Sequence, residues 1–403
     1  MQLIEICRAA GHEVRVSSSC QDSTYRTQLE RLGITTTCHV PNDSAFDQYL
    51  REYLPDIVFF DRFIIEEQFG WRVKNVLPDA LRILDTIDLH ALRRLRQAKV
   101  ERGEDPKTLS SLDVTTDDFV REVAALYRSD LNLLTSDKEE RFLKETFNLP
   151  PYLLELFRFS YAPPEPPLPY AARSHFVSIG NFNHAPNTDS FRLLCQEIWP
   201  RILSRFKAAG LAPPELHIYG AYPTQEFLKL PKLNSGVRVF GWTENVLKTL
   251  QQYRVNLAPL RFGAGIKGKI ADGWVAGTPC VTTWIGAEGM TTLPSGQDLE
   301  FGGFVADTWD EFADRAIQLY CNTDVWDHAQ SAGRSIISEL FSHEKQARRF
   351  LETLQTAMAN RDSHRSSNFI GTMLWYHLHR STEFMSRWIE AKNKLSLQLA
   401  SPQ

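Results

Sequence analysis

Glycines and basic residues alternate in one short stretch of this sequence. They are Arg261, Gly263, Gly265, Lys267, Gly268 and Lys269. The run at 255–258 before them predicts a buried strand, and the residues after them predict a helix that begins within 266–269 and ends at Ala276. A strand, a glycine-rich loop and a helix N-terminus together form an anion site, because free N–H groups and the helix dipole both point at the loop. The added lysines favour a phosphate as the anion.

The glycine spacing fits two known phosphate-binding patterns in part. The three glycines match the dinucleotide fingerprint, but Thr283-Trp284 stands where that fingerprint needs an acid at the end of the second strand. The spacing of Gly263, Gly268 and Lys269 is close to that of a P-loop. However, Ile270 replaces the Ser or Thr that would hold magnesium. A tight turn with solvated lysines is the structural alternative, because short glycine patterns are common by chance.

A third interpretation depends on the segments around the loop. In chain order they are Gly180-Asn181-Phe182-x-His184-x-Pro186-Asn187-x-Asp189, His217-Ile218-Tyr219-Gly220, Val237-Arg238-Val239-Phe240-Gly241-Trp242, Lys269-Ile270-Ala271-Asp272-Gly273, Gly277-Thr278-Pro279-Cys280-Val281 and Gly286-Ala287-Glu288-Gly289. In this order and at this spacing they resemble the donor-site region of the retaining GT-B glycosyltransferases of family 4. The resemblance is close over the C-terminal half of the chain and loose over the N-terminal half.

The resemblance implies transfer of a sugar, with retention of configuration, from a nucleotide diphosphate sugar to an acceptor that is a glycan, a lipid-linked sugar or a small molecule. No metal and no other cofactor is expected, because the loop lacks the Ser or Thr of a P-loop and no Asp-x-Asp pair lies near it in the sequence. The expected donor-binding residues are Gly180, Asn187, Arg261, Gly263, Gly265, Lys267, Gly268, Lys269, Asp272, Gly286, Ala287 and Glu288. Lys269 and the loop N–H groups, with Lys267 as a second candidate, would stabilise the charge that develops on the leaving diphosphate. Asp272 would suit the ribose diol.

The sequence departs from the family at one position of its acidic pair. Two glutamates eight positions apart are typical of the family, and these positions hold Ala264 and Asp272 here. The first acid is therefore missing and the second is one methylene shorter. A catalytically inactive two-domain binding or scaffold protein is the alternative that this departure favours. An NAD-dependent dehydrogenase is a further alternative, because the glycine fingerprint is present.

The candidate catalytic residues lie where predicted strands end. Asp88 and His90 follow the strand predicted at 81–88, and His184 lies in the first loop of the second domain. Ligands of parallel sheets bind beyond the carboxyl ends of the strands. The resemblance implies that Asp88 or His90 approaches the donor sugar, and that His184 bonds a phosphate or the sugar. The structural alternatives are helix caps, by Asp88 for the helix that follows it and by Asp189 for the next helix after His184.

These residues must be positioned by an alternation of strands and helices that runs along nearly the whole chain. Such alternation predicts an α/β fold with parallel sheets, here two Rossmann-like, doubly wound domains that face each other across a cleft. The domains are expected at 1–165 and 174–360, because residues 161–170 contain five prolines and form a stiff linker. A terminal helix at 373–394 is expected to pack back on the first domain.

The first domain is expected to lack its first strand. Met1 falls inside a helical pattern, with no strand and no glycine loop ahead of it. In a doubly wound domain such a strand and loop precede the first helix. We therefore expect an in-frame extension upstream of Met1 that encodes them.

Composition limits the classes of function. With 403 residues and 43% hydrophobic residues, the chain can build two ordinary domains, and no apolar run approaches the roughly 20 residues of a membrane span. A formal net charge of −4 argues against a general nucleic-acid binder. The six cysteines show no CxxC spacing, which favours reduced thiols and a cytoplasmic protein.

A charged segment at 93–119 makes contact with a membrane one alternative. It contains Arg93-Arg94, Lys99 and Lys107, which would suit anionic lipid at the inner face of the membrane. Acidic residues dilute this positive charge, so a solvated helix face is the favoured interpretation.

Overall fold

The computed structural model describes residues 1–20, 24–233 and 236–400 of the chain. The first domain alternates helices and strands from its start. Its elements are α1 (Gln2–Ala9), β1 (Arg15–Ser18), α2 (Thr24–Arg31), β2 (Thr35–Cys38), α3 (Ala45–Tyr53), β3 (Ile57–Asp61), α4 (Phe63–Val76), β4 (Leu81–Asp85), α5 (His90–Glu101), α6 (Asp117–Arg128), β5 (Leu131–Leu134), α7 (Asp137–Phe147) and β6 (Leu154–Leu156).

The second domain repeats the alternation after the proline-rich linker. Its elements are β7 (Ser174–Ile179), α8 (Ala185–Leu193), α9 (Trp199–Ala208), β8 (Leu216–Tyr219), α10 (Gln225–Leu233), β9 (Val237–Gly241), α11 (Val246–Leu250), β10 (Tyr253–Ala258), α12 (Gly268–Val275), β11 (Cys280–Thr282), α13 (Trp284–Ala287), β12 (Gly303–Val305), α14 (Trp309–Cys321) and α15 (Thr323–Leu340). Two long helices follow, α16 (His343–Ser367) and α17 (Phe369–Ala400). A π-helical turn at Leu194–Ile198 joins α8 to α9, where Pro200 has no N–H to continue an α-helix.

All the sheets are parallel. The second domain has one six-stranded sheet in the order β12-β11-β10-β7-β8-β9, and the first domain has a four-stranded sheet in the order β3-β4-β5-β6 beside a separate β1-β2 pair. Helices between successive strands produce this arrangement, since a parallel pair needs a crossover connection. The α/β prediction with two Rossmann-like units is confirmed by this topology.

The strands of the first domain form two separate sheets, one that contains β1 and one that contains β3. Among the described strands, β1 pairs only with β2, and β3 pairs on one side with β4. Ile6 and Cys7 of α1 pack with Leu81 and Ile83 of β4, so the first helix covers the four-stranded sheet. The expectation of a strand encoded upstream of Met1 stays a prediction.

The chain's last two helices return to the first domain. Phe350 of α16 packs in the same apolar cluster as Ile6 and Ile83. The helix α17, predicted at 373–394, spans Phe369–Ala400 and packs against α4 and α6. Its indole Trp375 Nε1 donates to the carbonyl of Arg128 at 3.1 Å. None of the described helices combines the length and the apolar character that a bilayer crossing requires.

Candidate active site

A cavity of roughly 560 Å³ opens between the two domains, at the carboxyl ends of both sheets. Most of the residues singled out in the sequence line it. They are Asp88, His90, Gly180, His184, Asn187, Gly263, Lys267, Gly268, Lys269 and Asp272. The remaining candidates, Arg261, Gly265, Gly286, Ala287 and Glu288, do not line it.

The glycine loop takes the predicted form, but one of its N–H groups is already bonded. Gly265 adopts a left-handed backbone with φ 61°, and the helix α12 begins at Gly268. The N–H of Gly265 donates to Glu139 Oε1 of the first domain at 2.8 Å. This group is therefore not free for a ligand, contrary to the expectation that the whole loop from 263 to 268 offers its N–H groups.

Lys267 also differs from its predicted role. Its ammonium is buried and donates to the carbonyl oxygens of Ala264 at 3.2 Å and Gly265 at 2.5 Å. Burial lowers the pKa of Lys267. The side chain thus folds back on its own loop and holds the turn in shape.

Lys269 presents the cation of this wall of the cavity. Its Nζ donates to Asn187 Oδ1 at 2.7 Å, which joins the start of α12 to the loop after β7. Burial lowers the pKa of Lys269 to about 8. A lysine in the first turn of a helix also opposes the helix dipole, because its N-terminal end is positive. An anion bound at this turn would relieve both costs.

Gly180 makes room for the Asn187 amide. A Cβ on Gly180 would lie 2.6 Å from the Cγ of Asn187, so a larger residue would displace that side chain. Asn187 Nδ2 in turn donates to the carbonyl of Asn181 at 3.0 Å, which fixes the amide with its oxygen toward Lys269. The sequence motif around 180–189 therefore serves to orient the partner of the lysine.

Two of the predicted catalytic residues, Asp88 and His90, lie on the opposite wall, which the first domain forms, and His184 faces the cavity from the loop after β7. His90 Nδ1 lies 3.1 Å from Asp88 Oδ1, and Arg93 pairs with the other carboxylate oxygen. The side chain of His184 lines the cleft. Desolvation of its ring by the surrounding protein atoms, together with the nearby charge of Arg93, lowers the pKa of His184 to about 4. The imidazole of His184 is consequently neutral near pH 7 and can accept a hydrogen bond from a sugar hydroxyl.

Two cations of the cavity were not predicted as site residues. Arg62 and Arg93 both line it from the first domain. Arg93 was assigned to a charged segment with a solvated face, although its place in the first turn of the helix after a strand end was a usable signal. Arg62 directly follows the aspartate that ends β3 and immediately precedes α4.

The helix caps fall on residues other than the predicted ones. Asp88 makes no cap bond to α5; instead both oxygens of Glu122 accept, from His90 N at 3.0 Å and from Ala91 N at 2.8 Å. Burial raises the pKa of Glu122 to about 7. Asp189 makes no cap bond either, and it pairs with Arg261. Asp88 is thereby left to face the cavity.

One of the remaining candidates, Glu288, forms a contact between the domains. Arg96 of α5 pairs with both oxygens of Glu288, at 2.7 and 2.8 Å, and donates to the carbonyl of Gly263 at 2.8 Å. A Cβ on Gly289 would lie 2.3 Å from Ser136 Oγ of the first domain. The segment at 286–289 thus contacts the first domain, and its expected role in binding the donor stays a prediction.

Asp272 shares its carboxylate with the linker. Tyr161 donates its hydroxyl hydrogen to Asp272 Oδ1 at 2.8 Å. Burial raises the pKa of Asp272 to about 6, and the Tyr161 hydrogen bond acts in the opposite direction. The Asp272 carboxylate is one methylene shorter than the glutamate that is typical of the family. Tyr161, which the sequence did not suggest as a partner, orients it.

We expect Tyr161→Phe to raise the pKa of Asp272 by about one pH unit, because a hydrogen bond to a charged group is worth about 1.5 kcal/mol or more. A carboxyl ¹³C titration of the protein checks this. The matched control is Tyr152→Phe, since the Tyr152 hydroxyl has no partner among the described residues. An unchanged or lower pKa in Tyr161→Phe would contradict the assigned hydrogen bond.

One group of described residues has metal-ligand spacing, but its atoms are already bonded. His175, Glu215 and His217 lie at the amino ends of β7 and β8, away from the cavity. His217 bonds Tyr253 Oη and Glu215 Oε2, both at 2.8 Å, and His175 Nδ1 accepts from the N–H of Glu215 at 3.1 Å. These three residues therefore form a hydrogen-bonded cluster at the amino ends of β7 and β8.

Comparisons with known proteins agree with this geometry. The family model described as glycosyl transferases group 1 matches residues 173–322. No curated protein sequence matches the chain.

Among solved structures, Anabaena Alr3699/HepE in complex with UDP and glucose is 14% identical, with a TM-score of 0.64 over 88% of this chain and 95% of that one. A Rickettsia africae glycosyltransferase is 12% identical, with a TM-score of 0.63 over 89% and 94%. Staphylococcus aureus TarM is 15% identical, with a TM-score of 0.57 over 77% of this chain, which spans 58% of that one. The chain therefore has the GT-B fold of two facing Rossmann-like domains, and its second domain matches the group 1 glycosyltransferases.

Proposed function

We propose that this protein is a glycosyltransferase of the hexosyltransferase type, in family 4, which moves a sugar from a nucleotide diphosphate sugar to an acceptor with retention of configuration. The observation that carries the proposal is the wall formed by Lys269, Asn187 and Asp272. A cation and a carboxylate stand one helical turn apart at the start of α12, in a cleft of roughly 560 Å³. That spacing suits the diphosphate and the ribose of one ligand.

The chemistry follows from charge. As the glycosidic bond breaks, negative charge develops on the diphosphate, and a cation fixed beside it lowers the barrier. Lys269 and the free end of α12 supply that positive potential. Asp88 and His90 on the facing wall, and His184 in the loop after β7, line the same cavity, so that His184 and Asp88 can bond hydroxyls of the sugar.

The position of the missing family acid favours one alternative. Ala264 lines the cavity and also packs in the apolar cluster of the first domain, so a methyl group stands at the wall where the family has an acid. A binding protein without turnover would fit this replacement. A dehydrogenase is less favoured, because β11 ends at Thr282 and the next side chain, Thr283, bonds the carbonyl of Leu260.

Calorimetric titration with UDP, GDP and NAD, followed by hydrolysis assays on the matching nucleotide sugars, tests these possibilities. Binding of a nucleoside diphosphate with turnover supports the proposal, and NMR of the released sugar reports its anomeric configuration. Binding without turnover favours the binding protein. Binding of NAD alone would support the dehydrogenase. We place the enzyme in the cytoplasm, with a glycan, lipid-linked or small-molecule acceptor and no nucleic-acid partner.

We further propose that the reaction needs no metal. The glycine loop has Ile270 where a P-loop has its magnesium ligand, and Lys269 can balance the diphosphate charge without a cation from solution. Turnover is expected to stay within about twofold after treatment with EDTA, since the lysine supplies the electrostatic stabilisation. Loss of turnover that magnesium or manganese restores would contradict this.

A further inference from the structure

One face of α17 carries large hydrophobic side chains that point into solvent. At steps of three or four residues along the helix lie Phe369, Met373, Tyr376, Arg380, Phe384, Trp388, Lys392 and Leu395. We call this set the α17 stripe. Phe369 is 74% exposed and Trp388 is 60% exposed. Residues at this spacing share one face of a helix, so the stripe is continuous and about 39 Å long.

The opposite face of the helix fixes the direction of the stripe. Trp375 and Ser386 are buried against the first domain. A Cβ on Gly371 would lie 2.3 Å from the carbonyl oxygen of Tyr127, so the helix is seated closely on α6. The stripe therefore faces outward because the other side is docked, and the helix cannot turn it inward without losing these contacts.

The stripe also carries cations without acidic partners. Arg380 lies 5.5 Å from the ring centre of Tyr376, and Lys392 lies 5.3 Å from that of Trp388. Neither forms an ion pair with any described carboxylate. The acids of the helix are used elsewhere, since Glu383 pairs with Arg387 and Glu390 bonds Lys394 and Ser44. The exposed face is thus apolar, aromatic and positive.

We propose that the α17 stripe docks this protein on an anionic lipid surface, with the helix lying in the plane of the interface. Aromatic side chains are favoured at the boundary of lipid and water, and Arg and Lys are attracted to anionic headgroups. A helix with one apolar face and basic residues binds in this way without spanning the bilayer.

Flotation of the full chain with phosphatidylcholine vesicles, with and without phosphatidylglycerol, tests the proposal. We expect at least about tenfold stronger binding to the anionic vesicles, reduced by salt. The double variants Phe384→Ser/Trp388→Ser and Arg380→Glu/Lys392→Glu should each weaken that binding at least about tenfold. Leu112→Ser is the matched control, since Leu112 is 79% exposed but lies outside the stripe. It should bind as the unmodified chain does.

Three outcomes would overturn the proposal. They are no binding to anionic vesicles, equal binding by all the variants, and a dimer in light scattering that Phe384→Ser/Trp388→Ser abolishes while vesicles stay unbound. Circular dichroism and thermal unfolding show whether each variant is folded. Because no nucleotide sugar is present, the result does not depend on the proposed enzymatic function.

Discussion

Replacing Lys269 with alanine is expected to weaken binding of a nucleoside diphosphate by tenfold to a hundredfold while leaving binding of the free nucleoside nearly unchanged. A hydrogen bond from a cation to a phosphate is worth about 1.5–3 kcal/mol, which corresponds to that range. The free nucleoside carries no phosphate, so the substitution removes no such hydrogen bond from it. Calorimetric titration of both ligands against both proteins measures the difference.

The same lysine should make the affinity depend on pH. Burial lowers the pKa of Lys269 to about 8, so the free protein carries the full charge at pH 7 and loses it as the pH rises. A diphosphate prefers the charged form, and its own ionisation is complete above pH 7. Affinity should therefore fall as the pH rises through about 8 and be about tenfold lower at pH 9 than at pH 7.

Lys269→Arg is the matched control, because a guanidinium stays charged throughout this range. Its affinity is expected to be level between pH 7 and pH 9. An equal loss of nucleoside and nucleoside diphosphate in Lys269→Ala, or the same pH dependence in both variants, would show that Lys269 does not contact the phosphate.

Gly265→Ala is expected to reduce kcat/KM by about a hundredfold, because it would force the two domains apart at the cavity. A Cβ at this position would lie 2.9 Å from the Asp88 Cβ and 3.1 Å from Thr135 Oγ1. These atoms belong to the first domain, so relief of the clash moves Asp88 away from the glycine loop. Misplacement of reacting groups by about 1 Å can cost about a hundredfold in rate.

Gly210→Ala separates this effect from backbone strain. Gly210 has φ 69°, close to the 61° of Gly265, but a Cβ there would meet nothing within 4 Å. In both variants the new alanine must adopt the left-handed conformation, which should lower the free energy of unfolding by about 1 kcal/mol. Denaturant unfolding measures this loss. Only Gly265→Ala should lose turnover. Full activity in Gly265→Ala would mean that the close approach of the domains is not needed for the reaction.

Local features of the active site followed well from the sequence. The glycine loop predicted a helix from within 266–269 to Ala276, and α12 spans Gly268–Val275. The hydrophobic repeat of a strand or a helix extends over only a few residues, so these elements can be predicted from a single sequence. The rule that ligands bind at the carboxyl ends of parallel strands then brought Asp88, His184 and Lys269 to one cavity, as the structure shows.

The partners of the charged residues did not follow from the sequence. Glu139 bonds the loop N–H of Gly265 from 126 positions away, and Arg96 pairs with Glu288 across 192 positions. Asp88 has the residue type and position of a helix cap, yet Glu122 takes that role from a neighbouring helix.

The sequence by itself determined the alternation of strands and helices, the linker and the loop that presents Lys269, because each depends on residues within a few positions of one another. The tertiary structure decided which acid caps α5, which lysine bonds its own loop and which carboxylate joins the domains. The reason is physical: a charged side chain bonds whatever packing brings within about 3 Å, and a pattern that extends over one or two helical turns carries no information about that neighbour.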